Sequence, residues 1–245
     1  MTYDWYRLLL LPSNFYTLCS IILLGIFTVH RNDFYRLALW LGFTIISACY
    51  IKSLFDIPLN ALFSKAGWSY PSGHTLSSLM TYFWLVGTFY VPTGKPLWKP
   101  ITCLSGLIIS LLIGMRHFHY HLPVDVLAAV PFAAGFALVS HFWHKLTKNS
   151  PLWLTTIVPL MILETMLVLY LKKYNVWPIH LQIIGFSGGL ALATTLPPAA
   201  TLALAALCIS ATFYTEQLHL SLIMSGAAIA TMTYWLTSFR FHRKL

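Results

Sequence analysis

Two short stretches concentrate the polar chemistry of this sequence. In the first, Pro71, Ser72 and Gly73 form a turn that delivers His74 to the start of an apolar run. The second, Gly114 to Asp125, carries Arg116, His117, His119 and His121 and ends on a carboxylate. Histidine is the side chain whose ordinary pKa lies nearest neutrality. His121 and Asp125 are four residues apart, so in a helical turn they share a face. A carboxylate placed there accepts one ring N–H, fixes the tautomer and leaves the other nitrogen free to attack. Two histidines, one carboxylate, a serine, a glycine turn and nearby cations suit phosphoryl transfer. One histidine attacks, the other protonates the leaving oxygen, and cations with backbone N–H groups hold the remaining oxygens.

Bland roles exist for the same residues. Ser72 or Thr75 alone could serve as a helix cap, and a histidine with an aspartate four residues on can be a structural pair. His117, His119 and His121 alternate in sequence and would not share a helical face, so the spacing predicts no metal site.

The residues around these stretches define the elements that must position them. Of 245 residues, 58% are hydrophobic and 9% charged, with a mean hydropathy of +0.73. Soluble domains carry about 25% charged residues, so the composition predicts an integral membrane protein in a lipid bilayer. The net charge of +9 does not indicate nucleic-acid binding. Its cations lie in short gaps between apolar runs, where they set orientation. Cys19, Cys49, Cys103 and Cys208 fall singly in different runs, which predicts packing residues rather than a disulfide or metal knuckle. Asp4 precedes the first apolar stretch and no small-residue cleavage site follows, so a cleaved signal is not expected.

Helical spans need about 20 apolar residues. Candidates are 14–30, 34–51, 74–92, 99–115, 123–142, 151–171, 179–196, 198–215 and 219–238. The predicted fold is therefore all-α, a polytopic membrane bundle of about nine helices. Arg31 and Arg36, Lys95 and Lys99, Lys145 and Lys148, and the C-terminal Arg240, Arg243 and Lys244 all fall on one face. The excess of cations makes that face cytoplasmic. Both chemistry-bearing loops then lie on the outer side. Glu164 stands in mid-span, where a carboxylate is costly enough to suggest a function unless a neighbouring Thr or Tyr hydrogen-bonds it.

The motifs resemble those of the type 2 phosphatidic acid phosphatase superfamily, whose signatures are K-x6-R-P, P-S-G-H and S-R-x5-H-x3-D. Residues 71–74 match the second signature, His121 with Asp125 the end of the third, and Lys52 the opening of the first. The resemblance covers about residues 34–142. It implies a phosphatase-like core over 1–145, with additional C-terminal helices over 146–245. It implies His121 as the nucleophile forming a phosphohistidine, Asp125 as its orienting partner and His74 as the general acid. Lys52, Ser72 and the Gly73 backbone would contact phosphate. No metal or other cofactor is expected. The implied substrate is a membrane lipid phosphate, met at the outer face of a bacterial-type inner membrane.

This sequence departs from the pattern where the arginines should be. Leu59-Asn60 replaces the Arg-Pro of the first signature, and Gly114-Met115 replaces the Ser-Arg of the third. Arg116, one residue late, and Lys65, on the first loop, are the candidates to supply the missing charge. The sphingomyelin and inositolphosphorylceramide synthases share the His…His-x3-Asp arrangement, so headgroup transfer stands beside hydrolysis. A degenerate core kept for lipid binding or flipping is the non-enzyme alternative.

Overall fold

The computed structural model describes residues 5–28, 30–58 and 69–147, together with scattered positions between 157 and 234. Among the described residues the chain is mostly helical and contains no strand. Within residues 5–147, the described residues form six α-helices in order: α1 (Tyr6–Leu10), α2 (Phe15–Ile26), α3 (Arg31–Phe55), α4 (Gly73–Leu85), α5 (Trp98–His117) and α6 (Pro123–Leu146). Three of them, α3, α5 and α6, are long and apolar enough to cross a membrane. The bent pair formed by 6–13 and 15–26, angled at 45°, would make a fourth.

Helix α4 is the centre of the bundle, packed mainly against α6 and α3. Close approach is possible because the contacting residues are small. Ala129, Ala133, Ala137 and Ser140 form a buried stripe along α6 at near-helical spacing, the pattern that lets membrane helices meet backbone to backbone. On α4, the hydroxyls of Ser77, Ser78 and Thr81 donate to carbonyls three or four residues earlier. Each buried hydroxyl is thereby satisfied within its own helix. Leu79, Met80 and Trp84 then join Leu37, Leu39 and Leu41 of α3 in the main apolar core. Ile157, Met161, Leu190 and Ala230 belong to that same core. The outward faces of α5 and α6 remain apolar, with Ile101, Ile109, Ile113, Leu138, Val139 and Phe142 exposed. Apolar residues both inside and outside are what a helix meets when lipid replaces water.

Two expected spans differ in detail. The helix expected over 14–30 is the 12-residue α2, which ends at Ile26, and the short α1 with a tight turn over Leu11–Ser13 precedes it. Pro12 opens the tight turn, and the Asn14 side chain accepts the Tyr16 N–H to start a new helix. The expected helix over 74–92 keeps α pitch only to Leu85, widens to a π turn over Val86–Tyr90 and tightens at Val91–Thr93. Pro92 and the left-handed Gly94 end it. The spans expected over 151–171, 179–196, 198–215 and 219–238 lie largely outside the described residues, as does Cys208. Among the described residues, Cys19, Cys49 and Cys103 form no disulfide. Glu164 receives a hydrogen bond from Ser47 on α3, with 2.9 Å to each carboxylate oxygen.

The two ends of the bundle differ chemically. At one end Arg36 contacts His144, which also lies near Asp33. Lys95, Lys99 and Lys145 fall on that end by helix direction. The C-termini of α3 and α5 and the N-termini of α4 and α6 form the other end.

Candidate functional site

At that second end, α3 finishes with Lys52 in its last turn and stops at Asp56, a left-handed cap whose N–H bonds back to the Lys52 carbonyl. Beyond it, the Ser69 N–H donates to the Ile57 carbonyl at 2.9 Å. Residues 59–68, including the expected phosphate contact Lys65, lie outside the described residues. The Tyr70–Pro71 peptide is cis, and Ser72 caps α4. Its Oγ accepts the Thr75 N–H at 3.4 Å and the Thr75 hydroxyl at 3.0 Å.

A backbone bond joins the two stretches. The Ser72 N–H donates to the Asp125 carbonyl at 2.9 Å. Gly73, next in sequence, receives the buried Lys52 side chain. A Cβ built on Gly73 would stand 3.8 Å from both Cε and Nζ of that lysine. The ammonium therefore lies over the bare first turn of α4, whose N–H groups already favour an anion.

The chain between α5 and α6 reverses at His119, which takes a left-handed backbone conformation. The Tyr120 N–H donates back to the Met115 carbonyl. His121 follows, buried, and Asp125 occupies the first turn of α6. The Asp125 Oδ2 accepts the Leu122 N–H at 2.9 Å and lies 3.5 Å from His121 Nδ1. That second distance is at the outer edge of a hydrogen bond, and Nδ1 has no closer polar partner. Burial lowers the His121 pKa below the ordinary histidine value, and the Lys52 charge pushes it the same way; Asp125 and the Ser69 backbone oppose. The ring is therefore neutral near pH 7, with a lone pair available.

His74, on the first turn of α4, interacts electrostatically with both His121 and Lys52. It lines a cavity of about 610 Å³ together with Met115, Phe118 and Tyr120. The N-terminal segment also lines it, including Arg7, Leu10 and Phe15. Loop spacing could not have revealed this lining, because nothing in the first 15 residues matches either motif.

The structure thus brings Lys52, Ser72, Gly73, His74, His121 and Asp125 together. Among the described residues, the Arg116 side chain makes no hydrogen bond or ion pair with any of them. A bulge in α5 would be needed to turn that residue inward, and α5 stays helical through His117. Gly114 and Met115 face the interior, which leaves Arg116 exposed. His117 stacks on Tyr6, with ring centroids 3.6 Å apart.

Comparison with family models, curated proteins and solved structures finds no match to this chain. Its function must be read from the site.

Proposed function

We propose that this chain is a polytopic lipid phosphatase, of about nine spans by the length rule, that works through a phosphohistidine at the outer face of a membrane. The observation that carries it is the pairing of buried His121 with Asp125 beside an ammonium held over a helix N-terminus. In the first step the free ring nitrogen of His121 attacks phosphorus as the lipid C–O–P ester bond to phosphorus breaks. The leaving oxygen takes a proton from His74, whose protonated form the negative charge of the bound phosphate favours, and departs as the lipid alcohol. Lys52 and the first-turn N–H groups of α4 hold the phosphoryl oxygens, on which the charge of the transition state is spread. In the second step water attacks phosphorus, gives a proton to His74 and breaks the P–N bond. Inorganic phosphate leaves, and His121 is regenerated.

Asp125 holds the ring in one tautomer and offsets the positive charge that develops on it, the part an aspartate plays in hydrolytic triads. The sequence resemblance and the geometry point to the same six residues, Lys52, Ser72, Gly73, His74, His121 and Asp125.

The test is phosphate release by the purified chain from micelles of a lipid phosphate such as phosphatidic acid, with His121→Ala as the control. Release by the parent and its loss in the variant support the reading. Equal release from both would overturn it. Release that needs an added lipid alcohol as acceptor would instead identify a headgroup transferase.

A further inference from the structure

The pairing described above holds one cation, Lys52, on one side of the reacting centre. A phosphoryl group spreads negative charge over three oxygens, so a second cation is expected on another side. Arg116 is exposed at the end of α5. The structure offers a different guanidinium at the cavity.

Helix α1 is short but held in place. The Ser110 hydroxyl of α5 donates to the Leu9 carbonyl at 2.7 Å, and the Tyr82 hydroxyl of α4 donates to the Pro12 carbonyl at 3.1 Å. The ring of Tyr6 stacks on His117. Leu10 packs directly on Gly114, where a Cβ would come within 2.7 Å of the leucine side chain. Any side chain at 114 would force α1 or its leucine to shift. None of these contacts uses the Arg7 side chain, which lines the same cavity as His74. The lining mixes apolar side chains, among them Leu10, Leu11, Met115 and Phe118, with the polar Ser13 and Asn14.

We propose that Arg7 is the second phosphate-holding cation, and that the cavity takes a phosphate monoester carried on an apolar chain. The phosphate sits between Arg7 and His74, and the first carbons of the chain lie along Leu10, Met115 and Phe118. A guanidinium offers paired N–H donors that match two phosphate oxygens, which lysine does as a point charge only. The volume of about 610 Å³ suits a headgroup and the start of its chain. Gly114 acts as a positioning residue, since its missing side chain is what lets α1 bring Arg7 near. The lipid nature of the ligand rests on the phosphatase reading; the anion-holding role of Arg7 rests on the cavity alone.

The experiment measures binding without turnover, using the full chain carrying His121→Ala in detergent micelles. Dioleoyl phosphatidic acid is titrated in one arm and inorganic phosphate in the other, and phosphate release by the otherwise parental chain is followed in parallel. Arg7→Ala is expected to weaken phosphatidic acid binding by about 10- to 100-fold, the loss of a hydrogen bond to a charged group. Arg7→Lys should recover part of it. Gly114→Leu should weaken binding similarly with helical content unchanged by circular dichroism.

Unchanged phosphatidic acid binding in both Arg7 variants would overturn the inference, even where the parent hydrolyses lipid phosphate. Arg7-dependent binding in a parent that hydrolyses nothing would support it while removing the phosphatase reading. Inorganic phosphate binding as tight as the lipid would overturn the amphiphilic ligand.

Discussion

One oxygen of Asp125 serves two partners: Oδ2 accepts the Leu122 N–H at 2.9 Å and stands 3.5 Å from His121 Nδ1. The first contact caps α6, and the second aims the ring. Starting the helix and orienting the histidine are therefore one structural event. A residue that keeps the cap but loses the charge separates the two roles.

Asp125→Asn makes that separation. The amide oxygen can still accept the Leu122 N–H, so the thermal midpoint should move by only a few degrees. Turnover should fall by about four orders of magnitude, the cost seen when a triad carboxylate becomes an amide. Steady-state rates beside a melting curve check both halves. A variant that retains parental turnover would remove Asp125 from the chemistry.

Gly73→Ala probes the ground beneath Lys52. The new methyl would meet the lysine at ordinary contact distance, 3.8 Å, so the chain should fold. That methyl stands between the ammonium and the helix N-terminus, where the phosphoryl oxygens are held. KM should rise by about tenfold, as for the loss of roughly one hydrogen bond. An unchanged KM would mean that the phosphate sits elsewhere.

The acid limb of the pH profile should report His121. Attack needs the unprotonated ring, so the rate is full above the folded pKa and lost as pH falls through it. Burial and Lys52 lower that pKa, so kcat/KM should persist below the ordinary histidine range, about 6.5. Lys52→Met removes one downward push and should move the limb upward, though burial, the larger cause, remains. A limb that moves downward in this variant would contradict the assigned electrostatics.

Ala133→Leu tests the packing that sets the site. Ala133 is fully buried in the core shared with α4. Extra methylene groups there should cost about 1–3 kcal/mol, read as a lower thermal midpoint. A parental midpoint would show that α6 does not pack closely on α4 along this stripe.

Much of the site's proximity was legible in residue spacing. The four-residue step from His121 to Asp125 allowed a shared face, and the structure places them 3.5 Å apart. Ser72 before a hydrophobic helix read as a cap, and its Oγ does accept the Thr75 N–H. The apolar runs gave α3, α5 and α6 to within a few residues, because hydropathy is a strong signal over 20 residues.

What escaped spacing was governed by contacts between distant segments. No expected span covers the short α1, which is set off from α2 by Pro12 and the Asn14 cap. Arg116 lay one position from its expected place, and a regular helix turns each successive residue by about 100°. That rotation puts Met115 inward and Arg116 outward. The N-terminal wall of the cavity depends on α1 reaching α5 across about 100 residues of chain, notably Leu9 to Ser110. Local periodicity carries no record of such a contact.

The central claim is that phosphate passes through His121. Its most direct measurement is acid-labile, base-stable phosphate on the protein after mixing with phosphorus-labelled lipid phosphate and quenching during turnover. The account predicts label on a peptide containing His121, present in the parent and absent in His121→Ala. Turnover with no labelled protein at any quench time, or label that persists in His121→Ala, would contradict it.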